Sequence, residues 1–222
     1  MILASIIILA LACLVIGVLQ AIIGKENSWQ RFLVKVLASF ALLLFAIVIS
    51  NLTGVINAYS LLIVIAYGLY VLINLVEFAS INSQKAKQII YYISQIIFTL
   101  LLSFSALALA PFSPFALVGG VLLGAGIGLL IWAIKKYDDV TKIVLNTIYY
   151  TVLGLFLVMS VNAVIFSSHL ICALSLLAGS VLEIIVRLTD TFAKESKAKT
   201  ISLNILHIVA YILIIGGIYF YA

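Results

Sequence analysis

Residues 175–188 read SLLAGSVLEIIVRL, and they place a carboxylate, Glu183, inside an apolar run with a guanidinium, Arg187, four residues further on. That spacing and order suit an ion pair along one helix. A second carboxylate, Glu77, follows Tyr67, Tyr70 and Asn74 at spacings of three, four and three, which is one helical face. Three further stripes join them: Gln88, Tyr92, Gln95 and Thr99; Asn146, Tyr149 and Tyr150; and Asn204, His207 and Tyr211. An ionisable group in an apolar segment costs roughly 2.5–3.5 kcal/mol on insertion scales, so it marks either a working site or a buried pair. Two carboxylates among amides, tyrosines and a histidine could divide acid and base work between them. One would hold a proton near neutral pH while the other, steadied by Arg187, stays ionised. A nucleophilic triad is not indicated, because the serines are scattered and no G-x-S-x-G occurs. Cys13 and Cys172 form no C-x-x-C and the two histidines are far apart, so packing cysteines are expected, with no metal and no cofactor.

The elements that must position these residues are set by composition. Of 222 residues only 9% are charged, 66% are hydrophobic, and mean hydropathy is +1.38. Apolar stretches near 20 residues long mean transmembrane helices, and barrel strands would alternate where these runs do not. Eight helices are predicted, at about 2–23, 33–51, 57–78, 88–109, 113–134, 143–166, 168–188 and 201–221, forming one integral membrane domain, 1–222. The first reads as a retained helix, since it lacks a basic n-region and is too long for a signal peptide. In the fifth, Gly120, Gly124 and Gly128 recur every four residues, a stripe that lets a neighbouring backbone approach. Trp29, Trp132, Tyr219 and Tyr221 stand near helix ends, as interfacial anchors do.

All Lys and Arg residues fall in or beside connections 1–2, 3–4, 5–6 and 7–8, whereas NLTGVINAYS, APFSP and FSSH carry none. The positive-inside rule then puts the basic loops in the cytoplasm and both termini outside. A net charge of +5 therefore reflects topology and anionic lipid, not nucleic acid. The NLT at Asn51 would face outward, where a chance match to a glycosylation acceptor is the simpler reading. Helices 3 and 7 run inward and helices 4, 6 and 8 run outward. Glu77, Glu183, Gln95, Asn146, Tyr150 and His207 are thus expected in the cytoplasmic half, around a polar cavity closed on the outer side.

This layout resembles the YhhN-type lysoplasmalogenases, a family of eight-helix membrane proteins of about this length. The family's basic segment opening helix 2 is similar to RFLVKVLASFALLL, which matches its Lys at Lys35. Its acidic residue late in helix 3 corresponds to Glu77 in INLVEF, and its H-x-x-Y of helix 4 to Gln95 and Phe98. Its small-residue stretch leading eight residues on to an acid corresponds to Ser175 and Glu183, and its helix 8 Tyr to Tyr211. Glu stands for Asp at both acidic positions, Val76 and Leu182 replace small residues, and Val36 replaces a proline. The resemblance implies hydrolysis of the vinyl-ether bond of a lysophospholipid in the cell membrane, giving a fatty aldehyde and a glycerophospho-head-group alcohol. It implies one glutamate as acid and the other as base; the nearby Arg187 favours Glu183 as the base and Glu77 as the acid, with the reverse assignment left open and Lys35 and Arg187 as candidates for holding the phosphate. Asn74, Gln95, Asn146, Tyr150, His207 and Tyr211 would contact the substrate.

Plainer readings stand beside this one. Glu183–Arg187 could be structural, Glu77 could snorkel to the headgroups, and His207 could be a packing residue. A non-catalytic lipid-binding or accessory protein fits those readings, and would pair Glu183 fully with Arg187. A small-solute transporter ranks below both, because coupling sites usually sit near the midplane between broken helices, whereas Pro111 and Pro114 lie in a loop.

Overall fold

The computed structural model describes residues 2–22, 29–54, 57–79, 84–137, 139–194 and 196–221. Among the described residues eight α-helices follow one another: α1 (Ile2–Ile22), α2 (Trp29–Leu52), α3 (Ala58–Ala79), α4 (Gln84–Leu109), α5 (Pro114–Lys135), α6 (Val140–Phe166), α7 (Leu170–Phe192) and α8 (Lys197–Gly216). A short 3-10 turn, Gly217–Phe220, ends the described chain, and no strand occurs among the described residues. Seven of the helices, α2 to α8, are long and apolar enough to cross a membrane, as a multi-pass membrane protein requires.

Several helices extend past their apolar runs. α7 continues to Phe192 instead of stopping at 188, α4 begins at Gln84 instead of 88, and α6 begins at Val140 instead of 143. α8 begins at Lys197 instead of 201 and gives way to the 3-10 turn at Gly217. α2 likewise starts at Trp29, ahead of the expected 33, and the remaining ends move by two residues at most. The physical reason is the same throughout. Hydropathy marks where a helix meets lipid, whereas the hydrogen-bonded helix runs on until a cap stops it. Asp139 caps α6 by accepting from the Thr141 amide, and Ser196 caps α8 by accepting from the Lys199 amide. Ser113 does the same for α5 from the Ala116 amide, with Pro114 in the first turn, where a missing N–H costs nothing.

The helices pack in sequence around a closed ring: α1 on α2, α2 on α3, α3 on α4, α4 on α6, α6 on α7, α7 on α8, and α8 back on α1. α5 stands outside that ring against α6. The ring is filled by one large core that includes Phe45, Tyr67, Phe98, Phe156, Met159 and Tyr211, all fully buried. On the end opposite the basic loops, Tyr59 donates to the Ile214 carbonyl, and the Tyr221 ring stacks on both Tyr59 and His169. Cys13 and Cys172 are both buried free thiols in the apolar core.

The α5–α6 seam follows from the glycine stripe. Gly120, Gly124 and Gly128 are the buried positions of α5 together with Ile131. A methyl group added at Gly124 would fall 2.2 Å from the Tyr150 carbonyl oxygen and 2.6 Å from the Thr151 Cα. On the other side, Gly154 answers Gly124, with a Cβ there lying 2.5 Å from the Gly124 Cα. Without side chains in the way the two backbones touch, and dispersion between them holds α5 in place.

Candidate functional site

Inside the ring, α4, α6, α7 and α8 bring their polar stripes together. Glu183 is 96% buried on α7, and its Oε1 accepts from the Arg187 Nε at 3.0 Å, one turn along the same helix. Its other oxygen, Oε2, lies 2.8 Å from Nδ1 of His207 on α8, a close ion-pair distance. That contact is not aligned as a hydrogen bond, so Oε2 keeps lone-pair capacity unused among the described residues. α7 and α8 form an antiparallel pair, and Glu183 and His207 are nearly equidistant from their connection, which sets them at one depth.

Arg187 is the hub. Besides Glu183 it donates from one terminal nitrogen to the Gln95 Oε1 at 2.9 Å and from the other to the Tyr91 hydroxyl, both on α4. Its guanidinium also lies over the Tyr149 ring of α6, 5.5 Å from the ring centre. Buried arginine is well served this way, because its planar fork meets carboxylate, amide and phenol at once while the ring face takes its charge. The Tyr150 hydroxyl, on the same turn of α6, is 2.9 Å from the Thr191 hydroxyl and donates to the Arg187 carbonyl at 3.4 Å. Facing the cluster, His207 packs at 4.2 Å against Tyr211, which sits in an edge-on aromatic group with Tyr67, Tyr70 and Phe98.

Three further polar atoms are buried without a hydrogen-bond partner among the described residues: the Tyr149 and Tyr211 hydroxyls and the Asn74 amide nitrogen. Such groups cost roughly 1–3 kcal/mol each when left unmatched, so natural interiors hold few of them.

Of the residues singled out from the sequence, Glu183, Arg187, Gln95 and His207 meet directly, with the Tyr211 ring beside His207 and Tyr150 bonded to the Arg187 backbone. Asn146 is buried on the α6 face that carries Tyr149 and Tyr150. Lys35 is half-buried in the early turns of α2. Glu77 belongs to the last turn of α3, and its side chain lies outside the described residues. Two cluster members were missed. Tyr91 sits four residues before Gln95 and shares its face, whereas the stripe read from the sequence ran through Tyr92. Thr191 lies in the stretch of α7 beyond the apolar run.

From Glu183 to the end of α7 at Phe192 is about 14 Å of helix. His207 stands a similar distance inside the start of α8. Chemically, the arrangement is a carboxylate held between a permanent cation and an imidazole. The carboxylate stands against Nδ1 of the ring, so the other ring nitrogen is the one placed to take or give a proton. Among the described residues no group of three or more His, Cys, Asp or Glu could hold a metal ion. No family model matches the chain, nor does any curated protein or solved structure.

Proposed function

We propose that the chain is a lysolipid hydrolase of the cell membrane that cleaves the vinyl ether of a lysoplasmalogen, with Glu183 and His207 as its proton-handling pair. The observation that carries this reading is the buried carboxylate shared between Arg187 and His207. In the proposed reaction the His207 imidazolium, held by Glu183, gives its proton to the outer vinyl carbon. An oxocarbenium ion results at the ether carbon, and the Glu183 carboxylate offsets its charge, as in glycoside hydrolysis. Water adds to that carbon and returns a proton to His207. The hemiacetal then loses the glycerol oxygen, yielding the aldehyde and the glycerophospho-head-group alcohol. The unmatched Tyr211 and Tyr149 hydroxyls support the reading as groups able to orient the reacting water or ether oxygen. Glu77 is the donor expected from the resemblance, and its substitution separates the two assignments.

The test is aldehyde release from lysoplasmenylethanolamine by the purified protein, with Glu183→Gln, His207→Asn and Glu77→Gln alongside. Loss in Glu183→Gln and His207→Asn with activity kept in Glu77→Gln is the expected result. Loss in Glu77→Gln with activity kept in His207→Asn would return the acid to α3. A second reading is favoured by one observation: Arg187 meets Glu183, Gln95 and Tyr91 at once, as a structural clasp would. In that reading the protein binds lysolipid or serves a membrane complex, and well-folded protein releases no aldehyde.

A further inference from the structure

At the basic end, α4 and α6 start side by side, and a crevice opens between them, lined by Lys85, Gln88 and Tyr92 from α4 and Asp139, Thr141 and Lys142 from the start of α6. Lys85 is exposed, and neither it nor Lys142 is paired with a carboxylate among the described residues. The Lys142 ammonium instead stands 4.7 Å over the Tyr137 ring. Asp139 spends one carboxylate oxygen on the Thr141 amide, 2.8 Å away, as the α6 cap. Two lysines without a carboxylate partner among the described residues, an amide and a phenol thus line one crevice between two helix starts, whose dipoles add positive potential. The chemistry is that of an anion site.

Depth decides which anion. The apolar spans begin at Gln88 in α4 and at Val140 in α6, so the crevice lies where a bilayer passes from hydrocarbon to headgroups. Exposed Ile93 of α4 and Ile148 of α6 continue from it along the lipid-facing surface, a track on which acyl chains can lie. We propose that this crevice binds the phosphodiester of an anionic phospholipid, Lys85 and Lys142 clasping the phosphate and Gln88 and the Tyr92 hydroxyl completing the contact. The proposal is independent of the hydrolase reading, because none of these residues belongs to the Glu183 cluster.

The experiment is native mass spectrometry of the full chain in detergent, titrated with dioleoyl phosphatidylglycerol or dioleoyl phosphatidylcholine. Phosphatidylglycerol is expected to bind in preference. Lys85→Gln and Lys142→Gln should each weaken it about fivefold, and the pair together about 25-fold. Lys194→Gln, an exposed lysine in the α7–α8 connection, serves as the control and should change binding less than twofold. Asp139→Asn keeps a capping side chain and removes the negative charge that Asp139 brings to the crevice lining, so it should tighten binding about fivefold. Equal affinity for phosphatidylcholine would overturn the proposal, as would a loss in Lys194→Gln matching that in Lys142→Gln. Binding of inorganic phosphate that needs the same lysines, without a preference for the anionic lipid, would overturn it too.

Discussion

The α5–α6 seam and the α4–α7–α8 clamp hold neighbouring helices in the same solvent by opposite means. At the seam nothing polar is exchanged between side chains: glycines bring backbone to backbone, and contact alone binds α5 to the ring. At the clamp, side chains reach across, and the contacts are charged or hydrogen-bonded, with Arg187 at their centre. Lipid tails are as apolar as leucine, so burying apolar side chains gives membrane helices little reason to associate. Close packing and internal polar contacts are what remain. The protein uses the first where a helix only needs holding, and concentrates the second where the polar stripes of α4, α6, α7 and α8 meet. That division is why the clamp, not the seam, is the candidate site: a polar network costs too much in lipid to be the cheapest way of joining helices.

Mutations can break this contrast or sharpen it. The largest effect is expected at Arg187→Met, which leaves the Glu183 carboxylate buried without its permanent cation. Loss of one partner of a buried pair costs about 3–5 kcal/mol, readable as a fall in the thermal or denaturant midpoint in detergent. Adding Glu183→Gln to that variant should recover most of the loss. If the double variant is no more stable than Arg187→Met, the pair is not what the substitution disrupted. Next comes Gly124→Ala at the seam, where the new methyl meets the α6 backbone, which cannot yield as a side chain would. Overpacking of this kind costs about 1–3 kcal/mol. An unchanged midpoint would show that α5 is not held by close approach. Tyr150→Phe removes a hydroxyl bonded to Thr191 and to the Arg187 carbonyl, and should cost about 1 kcal/mol. The smallest change belongs to Gly126→Ala, on the open side of α5 with nothing within 4 Å of the added methyl. It should stay within about 0.5 kcal/mol, and a loss like that of Gly124→Ala would remove the distinction between the two faces.

How far the sequence reached differs between the same two regions. At the seam the stripe was readable, since Gly120, Gly124 and Gly128 stand at helical spacing, but equally short connections to α4 and α6 left open which of them it would meet. At the clamp the polar stripes and the Glu183–Arg187 spacing were legible, but which stripes would meet was not. The α7–α8 contact had a signal that went unused. Glu183 and His207 lie almost symmetrically about their connection, and a tight hairpin puts such residues level. The α4 contact had none, because Tyr91 and Tyr92 are equally plausible until the rotation of α4 against α7 is known. The end of α7 was set too early because its last turns carry polar residues, Asp190 and Thr191.

One arrangement at the clamp has a bearing on how the protein is made. Arg187 lies one turn from Glu183 on the same helix, so the pair can close as soon as α7 is wound, before α8 has left the ribosome. The segment that enters the bilayer therefore carries its buried acid, Glu183, already matched by a base. Gln95 and Tyr91 belong to α4, which is synthesised earlier, and await it. His207 arrives last, on the final helix, and completes a centre that was electrically balanced throughout its biogenesis.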